Sequence, residues 1–370
     1  MKFACAQSTL LKALNIVSKA VTSRTTIPIL KGILIRVTED GSVIMSASDL
    51  DISIEDKFET VEYEPGEVVV QAKLFGDIVR KLPSDIIYME EKDGNFNIRC
   101  SSSEFNIVGS SADEFPSMNV DEYDEKLSFD RDILKDMIRK TVFAASSDES
   151  RGVITGVLFE LKNGNFNMVA LDGFRMAVAR EAIKSEYDQN IIIPARTLLE
   201  VSKIINESGV EKNTIDVLLS DKRAVFIIGE IKVAVRLLSG DYIDYENILP
   251  KESQIRVTLN RTDLIDAVER ASLLSRAGKN NLIRVNILDN ILEITSESEE
   301  GKGREEVMIS KDGKDLAIGF NSKYFEDPLK YIEDETVTLL FNTPISPCII
   351  KPVEGNSFEY LVLPVRLLGN

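Results

Sequence analysis

The chain has 370 residues, with 44 Lys and Arg against 61 Asp and Glu, and neither histidine nor tryptophan. Lacking histidine, it lacks the commonest general base and metal ligand, and a net charge of −17 argues at face value against a nucleic-acid partner. Cys5, Cys100 and Cys348 are too scattered for a disulfide framework or a metal cluster, and no apolar run nears the roughly 18 residues of a membrane span; buried reduced thiols in a cytoplasmic protein without signal peptide or membrane contact are expected.

A first helix is expected over residues 8–22, followed by a hairpin of residues 33–37 and 43–48 around Glu39-Asp40-Gly41. A second helix, 72–82, carries Leu74, Phe75, Ile78, Val79 and Leu82 on one side and stops at Pro83. Strands 86–89, 96–99 and 105–108 and an acidic link, 121–125, follow. The pattern then repeats. Helices are expected over 131–145 and from Pro194 to about 206, with strands 156–161, 167–170, 191–193, 214–219, 224–229 and 232–237. The last third gives helices over 262–275 and about 321–332, the latter kinked by Pro328, and strands 336–341, 348–351 and 359–362.

The three leading helices start alike, at Leu10-Leu11-x-x-Leu14, Ile133-Leu134-x-x-Met137 and Leu264-Ile265-x-x-Val268, spaced by 123 and 131 residues. Apolar residues at i and i+4 make a buried helical face, and three copies at such spacing point to three homologous domains. The expected fold class is α+β, two helices per domain packed on antiparallel sheets, with domains at 1–122, 123–250 and 251–370.

Charge is segregated along the chain. The helix segments 8–22, 72–82, 130–145, 194–206, 260–276 and 321–333 hold 16 Lys and Arg against 11 Asp and Glu; the remainder holds 28 against 50. Lys12 and Lys19, Lys73 and Arg80, Arg196 and Lys203, and Lys323 and Lys330 are each seven residues apart, two turns along one helix face. Lys135 and Arg139 extend the pattern. A solvated face opposite a buried stripe explains any one helix; four together suit a polyanion. Without interleaved aromatics, these cations fit backbone phosphate rather than stacked bases. The helix from 260 is balanced by Asp263, Asp266 and Glu269 and should contribute least.

No Walker loop, dinucleotide fingerprint, CxxC, HExxH or nucleophile elbow occurs. Asp49, Asp51 and Asp172 are weak metal candidates without a convergent pattern, so no metal, cofactor or catalytic residue is assigned. Two stretches are unusual for plain structure: the turn Ala170-Leu171-Asp172-Gly173-Phe174-Arg175-Met176, and the apolar tail Leu361-Val362-Leu363-Pro364-Val365-Arg366-Leu367.

With Met1-Lys2-Phe3, Arg24-Thr25-Thr26-Ile27-Pro28-Ile29-Leu30, Asp244-Tyr245 and Ile248-Leu249-Pro250, these stretches make the whole chain resemble the bacterial sliding clamp, the beta subunit of DNA polymerase III. The resemblance implies a non-enzymatic processivity factor. Two copies would form a head-to-tail ring whose helices line a hole around duplex DNA. It further implies DNA contacts from Arg24, Lys73, Arg80 and Arg196, to which the helix faces add Lys12, Lys19, Lys135 and Lys203. Phe105 and Ile107 would meet Leu273 and Leu274 of the partner subunit.

An apolar pocket for short peptides of polymerases, the clamp loader and repair proteins is implied at Arg151, Val153, Ile154, Leu171, Gly173, Phe174, Arg175, Met176, Ile243, Ile248, Ile345, Pro347, Leu361, Leu363, Pro364, Val365, Arg366 and Leu367. Phe174, Ile243 and Val153 stand where the family often has histidine, proline and tyrosine, and the chain continues through Leu368-Gly369-Asn370. The competing reading is an acidic interaction scaffold that does not encircle DNA.

Overall fold

The computed structural model describes residues 1–60, 62–118, 123, 125–183, 188–209, 213–277 and 281–367. Most of the acidic link at 121–125 and all of Leu368-Gly369-Asn370 lie outside them.

Six α-helices occur among the described residues: α1 (Gln7–Val17), α2 (Ala72–Lys81), α3 (Arg131–Thr141), α4 (Ala195–Glu207), α5 (Arg261–Ala277) and α6 (Ser322–Tyr331). Their starts are written in the sequence. The Asp130 carboxylate accepts from the Asp132 and Ile133 amides, and the Asn260 side chain accepts from Thr262 and Asp263. Asn321 does the same for Lys323 and Tyr324. Each such cap satisfies otherwise orphaned N–H groups and contributes about 1 kcal/mol.

Several expectations need correction. α1 and α3 end early and pass into 3-10 turns, Ser18–Ala20 and Val142–Ala144. Ile133 and Leu74, expected on buried faces, are 39% and 47% exposed. In both cases an apolar residue adjoins the true core position, Leu134 or Phe75, about 100° away around the helix. Pro328 does not interrupt α6; it lies in the last turn, where only one backbone donor is lost.

The contacts divide the chain into two compact units, Met1–Leu134 with Thr197–Leu237, and Lys135–Arg196 with Leu238–Asn370. The first holds a thirteen-stranded sheet. From one edge its order is Glu125–Asp130, Thr214–Leu219, Arg223–Ile228, Ile231–Arg236, Ile52–Glu59, Ser42–Ser48, Gly32–Val37, Gly66–Gln71, Ser103–Ser110, Asn95–Cys100, Ile86–Lys92, Lys2–Ala6 and Tyr63–Glu64. The second holds a nine-stranded sheet, from Gln189–Pro194 to Ser310–Asp312, and a four-stranded one ordered Gly301–Met308, Ile291–Ser298, Leu282–Ile287, Leu316–Asn321. All the pairings between named strands are antiparallel.

The division cuts the middle repeat because its two strand sets join different neighbours. Ile231–Arg236 adds to the first repeat's Ile52–Glu59, and Phe358–Val362 of the third repeat adds to Arg175–Ala182.

The threefold repetition is visible residue by residue in the registers. Each leading strand ends at its helix with Ala6↔Ile86, Asp130↔Thr214 or Asn260↔Thr336. Counting on from there, Ile98↔Phe105 corresponds to Phe226↔Val233 and Ile350↔Tyr360. Val233 and Tyr360 are fully buried, whereas Phe105 is 40% exposed. The difference is a missing neighbour. Ile231–Arg236 and Phe358–Val362 have strands on both sides, but along Ser103–Val108 the outer edge of the first repeat's strand pairs with no described residue. Gly301–Met308 is likewise an open edge, although its counterparts Ile52–Glu59 and Arg175–Ala182 are both paired. Open strand edges invite another chain.

Beneath α1, Asp56 is only 8% exposed, and burial pushes its carboxyl up to about 6 against the pull of Lys12 and the Lys57 amide. Because the folded value lies above the ordinary 3.8, Asp56 favours the fold most below pH 3.8. That contribution is lost as pH rises towards 6. Asp56→Asn should therefore stabilise the first unit at pH 7, by up to about 3 kcal/mol, and flatten its stability between these values. Urea unfolding of both proteins at pH 5 and pH 7 checks this; an equal difference at the two pH values contradicts it.

Candidate functional site

The expected phosphate-facing cations fall into two groups. Lys12, Arg24, Lys73 and Arg196 are exposed, and none forms an ion pair with a described residue; Lys135 is half-buried and equally unpaired. Arg80, Lys203 and Lys19 are engaged, with Asp77 at 2.9 Å, Glu200 at 2.8 Å and Glu207 at 3.0 Å. The shared-face argument holds for Lys73 and Arg80 on α2, Arg196 and Lys203 on α4, and Lys323 and Lys330 on α6, all exposed. It fails for Lys12 and Lys19, because α1 ends at Val17. On α5, Arg270 and Arg276 pair with Glu305 and Glu326.

The second unit brings both unusual stretches together. At the turn before Arg175, Gly173 takes φ +88°, and the Asp172 carboxylate accepts from the Phe174 and Arg175 amides. This turn aims Arg175 inward, where it is 8% exposed. Its guanidinium donates to Asp172 (3.1 Å), Asp327 (2.5 Å) and the Phe143 carbonyl (2.8 Å). The Phe143 and Tyr324 rings lie 5.4 and 4.9 Å from its carbon. A planar cation between two rings and two carboxylates suits arginine and not lysine. Tyr324 also stacks on Phe174, with ring centroids 5.5 Å apart.

The tail is fixed to the same place. The Leu363 amide donates to the Phe174 carbonyl at 2.9 Å, and the Val365 amide to the Gly319 carbonyl at 2.8 Å. Ile154, Leu171, Met176 and Leu361 are core residues, 2–6% exposed, and form a floor rather than a wall. Above them Phe174, Ile243, Ile248, Ile345 and Leu363 stay 39–76% exposed, while Val153, Pro347, Pro364, Val365 and Leu367 are half-buried. At the rim, exposed Arg151 donates to the Asp172 carbonyl at 2.5 Å, and Arg366 is exposed. Exposed apolar side chains of this kind make the region a candidate docking surface.

Set beside known proteins, residues 1–119, 128–244 and 246–366 match the N-terminal, central and C-terminal domains of the DNA polymerase III beta subunit. The chain belongs to the DNA polymerase III beta-subunit family. It is 36% identical to the beta sliding clamp of Halalkalibacterium halodurans and 34% to that of Bacillus subtilis, each over 99% of this chain and 100% of the relative. The solved Bacillus subtilis sliding clamp superimposes with a TM-score of 0.95 at 33% identity, covering all of both chains. A Pseudomonas aeruginosa clamp solved with griselimycin bound gives 0.93 at 27%, over 99% of this chain and 100% of that one. The chain thus has three clamp domains and the role of a sliding clamp, a processivity factor without catalysis of its own.

Sequence reasoning about this clamp missed Phe143, Tyr324 and Asp327, which complete the Arg175 site from a 3-10 turn and from α6. Nothing in their local sequence marks them; only a residue spacing of 152 between Arg175 and Asp327 separates the charge pair. A cavity of about 390 Å³ beside the apolar surface is lined by Leu158, Glu160, Ile192 and the loop Gly240–Glu246, and shares only Ile243 with the expected pocket. Among the described residues no group of three or more acidic or cysteine side chains could hold a metal ion. Nor, among the described residues, is any helix long and apolar enough to cross a membrane.

Proposed function

We propose that two copies of this chain close head to tail into a ring around duplex DNA, with domains at 1–122, 123–250 and 251–370 and twelve helices facing the hole. The carrying observation is the pair of complementary open edges. Ser103–Val108 ends one side of the repeat series and Gly301–Met308 the other, each in a position that is paired at both internal junctions. Joining them in trans makes a heterologous contact that closes after two copies and covers both of these edges. Phe105, Ile107, Leu273 and Leu274 are the apolar contacts of that junction; Leu273 is 67% exposed in the single chain.

Enclosure rather than grip explains how a chain of net charge −17 serves DNA. Cations on helix faces need only offset the phosphates, while the acidic remainder keeps the outside soluble and unbound. The apolar surface around Phe174, Ile243, Ile248, Ile345 and Leu363 takes short apolar peptides from the replicative polymerase, clamp loader, other polymerases and repair proteins, in the cytoplasm.

Sedimentation tests the ring: a stable species of about twice 41.3 kDa is expected at micromolar concentration, and a monomer there contradicts it. The free cations should matter more than the engaged ones. Lys73→Glu or Arg24→Glu should each weaken DNA retention several-fold and reduce its salt dependence by about one phosphate contact. Arg80→Glu, whose charge is already shared with Asp77, should do less. Equal effects in a salt titration would return these faces to plain solvation.

A further inference from the structure

We propose that the two copies recognise each other through a charge ladder in which Glu104 of one copy stands opposite Arg304 of the partner subunit. Phe105 and Ile107 then seat over the bare backbone of Gly303 and Gly301. The assignment rests on the head-to-tail ring and adds what fixes its register and its preference for self.

The register comes from the two internal junctions. There Lys232 faces Glu55, Val233 faces Ile54 and Val235 faces Ile52; at the other, Glu359 faces Val178, Tyr360 faces Ala177 and Val362 faces Arg175. Phe105 is the counterpart of Val233 and Tyr360. On the opposing strand, Ser46↔Glu55 and Val169↔Val178 correspond to Thr295↔Arg304. Carried over, this register sets Glu104 against Arg304, Phe105 against Gly303 and Ile107 against Gly301.

Shape agrees. A Cβ at Gly303 would come within 3.0 Å of Ser296 Oγ and 3.2 Å of Leu274 Cδ1, so Leu274 lies against this glycine, where the Phe105 ring opposite would meet it. A Cβ at Gly301 meets nothing within 4 Å, leaving room for Ile107.

Charge agrees too. In one copy Glu90 pairs with Arg99 at 4.0 Å, and Arg99 lies directly across from Glu104. On the other strand Arg304, 63% exposed, pairs with Glu293. The ladder then reads acid, base, acid, base, acid across five strands, unbroken at the junction. Glu306, the one like-charged neighbour of Glu104, is already held by Arg304 at 2.5 Å. A slip of two residues one way sets Glu104 against Glu306. The other way loses the glycine seat of Ile107, and a slip of one turns every side chain to the wrong face.

The test is a charge exchange read by sedimentation at low and high salt. Glu104→Arg and Arg304→Glu should each raise the dimer dissociation constant by about tenfold or more, since like charges then face each other at both junctions. The double variant should recover. So should an equimolar mixture of the two single variants, in which one junction keeps the native pair and the other its reversal. Because both positions are exposed, the single variants should keep the wild-type circular dichroism. A wild-type dimer unaffected by either change, or a mixture no tighter than its components, overturns the ladder and leaves the ring standing. A monomeric wild type overturns the ring itself.

Discussion

Replacing Arg175 with alanine should cost the second unit about 3–5 kcal/mol, the penalty for breaking a buried ion pair from one side. Arg175 is 8% exposed and meets two carboxylates, a carbonyl and two ring faces. Among the described residues, its removal leaves Asp327 with Lys330, 3.9 Å away, as its remaining cation. Asp172 keeps two backbone amide donors, so the loss falls mainly on Asp327 and the rings. Arg175→Lys should recover less than half, because an ammonium cannot fill the planar slot between Phe143 and Tyr324. Thermal unfolding of both variants checks this. The same change should weaken apolar peptides at the neighbouring surface, since Tyr324 supports Phe174 by stacking. A loss below about 1 kcal/mol for the alanine variant would mean that Arg175 is only an exposed-type pair.

The second large effect concerns ring closure. Phe105→Asp should raise the dimer dissociation constant by about 10²–10³, as for a central aromatic anchor. It should leave the single chain folded, because Phe105 is already 40% exposed there. Placing the charge at Val233 or Tyr360, its buried counterparts, should instead unfold the chain. Sedimentation with circular dichroism separates the two outcomes. A dimer that survives Phe105→Asp would place the junction elsewhere.

Much of this was legible in the sequence, and the remainder was hidden for physical reasons. The six helices were legible because apolar spacing along one helix is local. Strand Ile52–Glu59 is not among the expected elements, and Gly301–Met308, reading Gly-Lys-Gly-Arg-Glu-Glu-Val-Met, looks like a loop. Ile52–Glu59 gains a distant partner in Ile231–Arg236, and Gly301–Met308 is an open-edge strand, so neither is marked by β-rich composition. The buried helical face stops short of Ile133 and Leu74, which lie one step around the helix from Leu134 and Phe75, and apolar character alone does not mark where that face ends. Likewise, the turn at Gly173 was visible, but not Phe143, Tyr324 and Asp327, which only tertiary packing brings to Arg175.

The most direct test of the account is retention on DNA of two topologies. After loading onto nicked circular duplex with clamp loader and ATP, the protein should remain bound through gel filtration. It should be lost within the same run once a restriction enzyme has opened the circle. Equal retention on circular and linear DNA, or equal loss from both, would contradict encirclement.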